Sequence, residues 1–288
     1  MSMPENKKDI VRSVVLFCNE SKPKAGGMMR DIAALVRRHG AKVWSCRNGS
    51  SPRWDTTDLA VALGGDGTML RAARVLAPQG VPLLGINYGH LGFLSGTDMP
   101  GFRKNIKRIL RRRFPMEERW MVSVEVWRRG RRVFGPRLAL NDCVIRSSEQ
   151  ARAVLLQART GVRLVAEYFG DGLILATPTG STAYALAASG PIVEPSLDVL
   201  LVAPICPHTL TQRPLVVSSD NVFSVRLAAR HAGEVPHVRV SLDGQVGCGL
   251  RLGDEVRVAR YGRPLRLVLD PQHSYFQVLR EKLRWGEM

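Results

Sequence analysis

The sequence is poor in several features, and each shortage excludes something. No stretch of its 288 residues reaches the roughly eighteen uncharged apolar positions that a membrane span needs. The opening MSMPENKKDIVRSVVLFCNE has an apolar run too short and too soon interrupted for a secretory signal, so a cytoplasmic location is expected. Cysteine is scarce: five residues at positions 18, 46, 143, 206 and 248, odd in number and never spaced CxxC. That argues against a disulfide framework or structural zinc and fits a reducing compartment. Familiar nucleotide signatures are missing as well. There is no GxxxxGK[ST], no GxGxxG after the first strand and no protein-kinase motif set. TGSTA around Ser181 lacks the outer glycines of a GxSxG elbow, which argues against a serine hydrolase. Acidic residues are in deficit, 25 against 42 Lys and Arg, leaving a formal net charge of +17.

What is present reads as a soluble globular chain of two domains, 45% hydrophobic and 23% charged. Much of the charge excess is concentrated in Arg103–Arg132, where twelve basic residues meet Glu117, Glu118 and Glu125. Such a run raises nucleic-acid binding as a reading. Phe102, Ile106, Ile109 and Leu110, however, recur at helical spacing, so the intervening Lys and Arg fall on the outer face of an amphipathic helix. No zinc-finger or RNA-recognition pattern accompanies them. A nucleic-acid partner is therefore not expected, although a positive field draws polyanionic nucleotides toward a cleft.

The first third alternates strand and helix. SVVLFC, AKVWSC, LAVALGG after Asp58, and VPLLGIN read as strands; Ala25–His39 and Thr68–Leu76 read as helices. That rhythm means a mostly parallel sheet covered by helices, with ligands at the carboxyl ends of the strands. From Met116 the pattern becomes β-type, with a hairpin expected at Arg129–Gly130 and a short helix after Gly180. Strands are read at LALNDCVIRS, AVLLQART, VRLVAEYF, GLILAT, DVLLVAP, NVFSVRLAA, HVRVSL, EVRVAR and LRLVLD. The expected boundaries are 1–115 for an α/β domain and 116–262 for a β-rich domain. SYFQVLREKLRW in the tail 263–288 is amphipathic and helical.

GGDGT at 64–68 follows the third strand and opens a helix. Gly64, Gly65 and Gly67 let a backbone approach a phosphate, and a helix start welcomes negative charge. Asp66 in that turn therefore asks for a proton or a cation between acid and phosphate. The block GDGLILATPTGSTAYALA at 170–187 combines Asp171 at a strand start with a hydroxyl-rich turn at a second helix start. Ser181 and Thr182 there suit an anion or a sugar hydroxyl, or simply cap the helix.

Taken in order along the chain, GGDGT, NYGHLGFL (87–94), LND (140–142), GDGLILATPTGSTAY (170–184), PICPHTLTQRPLVV (204–217) and SLDGQ (241–245) resemble the motifs of the NAD kinase family. The resemblance spans almost the whole sequence. It implies an NAD kinase/diacylglycerol kinase-like fold, with the tail packed back on the first domain and the substrate held between the domains. It implies transfer of the γ-phosphoryl of ATP, or of another donor such as polyphosphate, to the 2′-hydroxyl of the adenosine ribose of NAD. Mg²⁺, or another divalent metal, would be held mainly by the substrate phosphates, and homodimers or homotetramers are implied.

By the same resemblance Asp66 is the general base or polariser. Asp66, Gly67, Asn141, Asp142, Asp171, Thr182, Ala183, Tyr184, Ala187 and Gln245 contact NAD. Gly64, Gly65, Gly67, Thr68, Arg71 and Arg152 face donor phosphates. His208, in its Pro-His-Thr-Leu setting, is read as structural. Phe169 departs from the family, many of whose bacterial members carry a basic residue there; this bears on the nicotinamide end and on NAD against NADH. A lipid-type kinase sharing GGDGT lacks TPTGSTAY, and a binding-only regulator has little need of Asp66. Both are the weaker readings.

Overall fold

The computed structural model describes residues 10–18, 25–46, 54–87, 92–148, 153–209, 211–233, 236–271 and 274–284. The chain divides into two compact units, Met1–Glu118 with Leu265–Met288, and Arg119–Pro264.

In the first unit, strands β1 (Ser13–Cys18), β2 (Lys42–Cys46), β3 (Leu59–Leu63), β4 (Leu83–Asn87), β5 (Thr97–Asp98) and β6 (Met116–Arg119) alternate with helices α1 (Ala25–Arg38), α2 (Asp66–Gln79) and α3 (Met99–Leu110). β1 and β3 are buried along their whole length, as their unbroken apolar sequences require of strands covered on both faces. α3 buries Phe102, Ile106, Ile109 and Leu110 and turns its Lys and Arg outward. Asp98 caps it, accepting from the Gly101 amide at 2.7 Å. Arg103 pairs there with Asp31 (3.2 Å) and, beyond the helix, Arg112 with Asp58 (3.0 Å). The basic run behaves as the surface of an amphipathic helix.

The second unit holds twelve strands: β7 (Val122–Arg128), β8 (Arg131–Ala139), β9 (Asp142–Ser147), β10 (Val154–Thr160), β11 (Arg163–Gly170), β12 (Gly172–Ala176), β13 (Val199–Ile205), β14 (Leu215–Ser218), β15 (Phe223–Ala228), β16 (Val238–Leu242), β17 (Val246–Leu250) and β18 (Glu255–Arg260). They form two six-stranded sheets, β11-β10-β15-β18-β7-β8 and β14-β13-β12-β9-β16-β17, with antiparallel pairing. Val124, Leu156, Val225 and Val256 from the first sheet share one core with Ile145, Leu173, Val202 and Val240 from the second. This is a β-sandwich. The hairpin at Arg129–Gly130 (φ 49° and 76°) closes as expected.

LRLVLD falls in the tail, beyond the β-rich domain: β19 (Leu265–Val268) pairs parallel with β4 and completes the first unit's sheet, in the order β2-β1-β3-β4-β19-β6 with β5 on β4. One reading is corrected. The helix of the TPTGSTAY block starts later than Ser181. Thr179–Thr182 form a 3-10 turn, and α4 covers only Tyr184–Ala187. The cause is Ser181, fully buried, whose hydroxyl donates to the Pro178 carbonyl (2.6 Å) and accepts from the Val193 amide (3.0 Å). Helix α5 (Tyr275–Leu283) follows β19 in the first unit, capped by Ser274.

Candidate functional site

In the first unit, β1 has β2 on one side and β3 on the other. The strand order reverses there, and in an open α/β sheet this opens a crevice beyond the carboxyl ends. β3 delivers the chain into that crevice at Gly64. Gly64 takes φ +150°, and any Cβ would stand 2.6 Å from Thr68 Oγ1, so the turn needs glycine. Gly65 caps α2 without a side chain and Asp66 is the first helical residue, where leading amide groups favour negative charge. Gly67 is exposed and Thr68 buried. Arg71, one turn on, donates to the Cys18 carbonyl at the end of β1 (2.8 Å), fastening α2 at the switch point.

The Asp66 carboxylate is the unusual group. Its Oδ1 is buried and has no hydrogen-bond partner among the described residues. It faces Gly92, where any Cβ would collide with it. Gly92 is held by its amide on Ser95 Oγ (2.8 Å). Burial raises the Asp66 pKa above its ordinary 3.8, against the lowering effects of Lys282 on α5 and of the Leu94 backbone amide. The Asn-x-Gly-x-Leu-Gly-Phe-Leu segment therefore meets GGDGT through Gly92 and Leu94; its residues 88–91 lie outside the described residues, as does Arg152.

The second unit presents a site on the outer face of the sheet containing β9, β12 and β16. Asp243 and Gly244 (φ 50° and 64°) turn the β16–β17 hairpin. The Asp243 carboxylate accepts from the amides of Asn141 (2.8 Å), Leu140 (3.1 Å) and Asp142 (3.3 Å). Thr177 grips the same segment, its hydroxyl donating to the Leu140 carbonyl (2.5 Å) and its amide to the Asn141 carbonyl (2.8 Å). A Cβ at Gly180 would run into the Asn141 backbone, so the TPTG turn packs directly on it. Asn141 is thereby fixed from two sides. Asp142, only 5% exposed, has its pKa pushed up to about 7 by burial and then by the Asp243 charge.

Asn141, Asp142, Ala183 and Tyr184 line one cleft of about 500 Å³, with Val144, Arg146, Arg239, Ser241, Asp243 and Gly244 completing it. That volume is typical of small-molecule sites. The other expected contacts lie outside it. The Thr182 hydroxyl donates to the Thr179 carbonyl (3.3 Å), Ala187 is exposed on α4, and the Gln245 amide closes the hairpin on Leu242 (2.9 Å). Asp171, at the start of β12, accepts from the Cys206 thiol, which raises the thiol's pKa. Over Phe169 lie the Arg230 guanidinium, 4.6 Å from the ring centroid, and the edge of His208, 5.0 Å away. A cation thus stands beside Phe169, and His208 is exposed, its ring touching Phe169. Sequence reasoning missed Asp243, Lys282, Arg146 and Arg239. Only Asp243 carried a signal, as the acid of the Asp-Gly-Gln turn.

An acid whose buried Oδ1 finds no partner among the described residues, at a helix start beyond a parallel strand, in a chain that also carries a cleft of small-molecule size, fits a kinase acting on a small-molecule hydroxyl. Comparison with known proteins narrows the class. Residues 52–114 match the ATP-NAD kinase N-terminal domain and residues 140–269 the ATP-NAD kinase C-terminal domain. The NAD kinase of Geotalea daltonii is 39% identical over 289 residues, covering 96% of this chain and all of the relative; that of Symbiobacterium thermophilum is 42% identical, covering 93% and 97%. The chain belongs to the NAD kinase family, whose members phosphorylate NAD to NADP. Among solved structures, yeast NADH kinase complexed with NADH shares the fold at TM-score 0.85 and 22% identity, covering 97% of this chain and 89% of that one. The Archaeoglobus fulgidus NAD kinase in complex with ATP aligns at TM-score 0.76 and 27% identity, covering 95% and 98%.

Proposed function

We propose that the chain transfers the γ-phosphoryl group of ATP to the 2′-hydroxyl of the adenosine ribose of NAD, releasing ADP and NADP. The observation that carries this reading is the buried Oδ1 of Asp66 at the start of α2, without a hydrogen-bond partner among the described residues. A carboxylate oxygen held this way has one acceptor position to offer, and a ribose hydroxyl fills it. As the 2′-oxygen bonds to the γ-phosphorus, the bond from phosphorus to the β-phosphate oxygen breaks and the hydroxyl proton passes to Asp66. Burial makes Asp66 a stronger base than an exposed aspartate while the Leu94 amide and Lys282 keep it ionisable. The backbone at Gly64, Gly65 and Gly67, with Thr68 and Arg71, faces the donor phosphates. Asn141, Asp142, Ala183 and Tyr184 hold the nucleoside, the Tyr184 ring packing on a base.

Mg²⁺ fits this donor set as a metal shared with substrate. No cluster of three or more His, Cys, Asp or Glu occurs among the described residues, and Mg²⁺ commonly takes one or two carboxylates plus phosphate oxygens. The substrate phosphates would hold it, and the ion would supply charge neutralisation on them. We read the enzyme as a cytoplasmic homodimer or homotetramer. The five cysteines form no disulfide among the described residues, which supports a reducing compartment, and light scattering of the purified chain tests the assembly.

The deciding experiment measures NADP formation from NAD, ATP and Mg²⁺ beside Asp66→Asn. A loss of about 10²-fold or more supports Asp66 as base or polariser. Equal rates keep the kinase and remove Asp66 from its chemistry; no product in the parent, with ATP or polyphosphate, removes the reaction.

A further inference from the structure

Arg146 and Arg239 are direct cross-strand partners on β9 and β16. The row they occupy continues to Gly172 on β12 and Gly249 on β17, so both arginines are flanked by residues without side chains. Residues opposite one another in an antiparallel pair project from the same face with Cβ atoms about 5 Å apart, and like charges so placed oppose each other. Neither arginine forms an ion pair with a carboxylate among the described residues. Both are exposed, and both line the cleft that holds Asn141 and Tyr184.

The cleft is therefore polarised. Asn141, Asp142 and Asp243 stand at one end, Arg146 and Arg239 at the other, with Val144 and Ser241 in the row between. From Asp142 to Arg146 the strand advances four residues, about 13 Å at the usual rise. A nucleoside at Asn141 and Tyr184 would extend its phosphates along the floor toward the two guanidiniums. Paired arginines with room beside them suit doubly charged phosphate better than a single charge.

We propose that Arg146 and Arg239 form a clamp for the pyrophosphate of the dinucleotide substrate. The assignment rests on the reading of this cleft as the nucleoside site. It gives part of the chain's positive excess a local use: the two like charges are tolerated because a dianionic ligand bridges them.

Calorimetric titration with NAD, ADP-ribose, adenosine and 2′-AMP tests this in the parent, in the double variant Arg146→Gln/Arg239→Gln, and in Arg239→Glu. The double variant should lose about ten- to a hundredfold in affinity for NAD and ADP-ribose and keep its affinity for adenosine and 2′-AMP. Its NAD affinity should also depend less steeply on salt. Arg239→Glu places an acid opposite Arg146 and should melt no lower than the parent while binding NAD as weakly as the double variant, which separates ligand loss from misfolding. Unchanged NAD affinity in both variants would overturn the clamp and leave the nucleoside site standing. Weakening confined to 2′-AMP would overturn the pyrophosphate assignment in favour of the 2′-phosphate. A parent that bound neither NAD nor adenosine would remove the nucleoside site, and the clamp with it.

Discussion

Each unit carries an aspartate whose pKa burial raises, and the two differ in what their neighbours add. Asp66 lies at a helix start with burial as the cause, opposed by the Lys282 cation and the Leu94 amide. Asp142 lies at a strand start, where burial and the neighbouring Asp243 carboxylate push in the same direction. In the α/β unit, then, a carboxylate is desolvated but surrounded by groups that favour its charge. In the β unit burial, reinforced by a second carboxylate committed to three backbone amides, keeps the first one neutral up to about pH 7. The same residue type thus stands charge-favoured in one place and proton-holding in the other, and its neighbours decide which; the first suits the proton transfer proposed for Asp66, the second the nucleoside contact proposed for Asp142.

The largest effect that tests this contrast is on turnover. Asp66→Asn should lower kcat by about 10²- to 10⁴-fold while leaving thermal stability equal or higher, because the amide removes a buried charge without removing a hydrogen bond from Oδ1. Steady-state kinetics beside a melting curve checks both halves. A variant that lost activity and stability together would place Asp66 among the residues that hold the fold.

Next comes pH. The native state keeps the Asp142 proton up to about pH 7, whereas the unfolded chain releases it near the ordinary 3.8. The native state therefore binds more protons between those values. The contribution is full below 3.8, and stability falls as pH rises through 7. The decline attributable to this group is at most about 4 kcal/mol. Asp142→Asn should flatten it, so urea denaturation at pH 5 and pH 8 should show a smaller difference in the variant than in the parent.

Much of this was readable beforehand and some could not have been. GGDGT announces itself because glycines at 64, 65 and 67 leave little doubt about a tight turn, and β1 and β3 read as strands because their apolar runs are short and unbroken. β17 escaped because its glycines at 247 and 249 hide the alternation, and β14 because four residues are too few to show a period. The TPTG turn was visible, but its 3-10 form depends on Ser181 reaching Val193, which local pattern does not show. Asp243 meets Asn141 across 102 residues, and Arg146 meets Arg239 only once β9 and β16 pair. Such meetings come from sheet register, which a single sequence encodes only collectively.

Asp243→Ala breaks the contrast from the other side. It strips three amides of their acceptor and should destabilise the second unit by about 2–3 kcal/mol in denaturant. It should also raise KM for NAD by loosening Asn141, more than it lowers kcat. With the neighbouring charge gone, the Asp142 pKa should move down, a change that carboxyl NMR would detect directly. An Asp142 titration that stayed in place would mean that burial alone sets it, as burial alone raises Asp66.

The smallest effect is the most discriminating. Lys282, exposed on α5, lowers the Asp66 pKa. Lys282→Met should raise it, moving the acid limb of the kcat/KM profile to higher pH and costing at most a few-fold in rate on that limb. Because the cation is exposed, raised salt should move the parent's limb in the same direction and leave the variant's nearly unchanged. The Asp142 titration, set first by its own burial and then by Asp243, should be insensitive to both. If salt moved the two aspartates equally, the distinction between a charge-favoured carboxylate and a proton-holding one would fail at its electrostatic root.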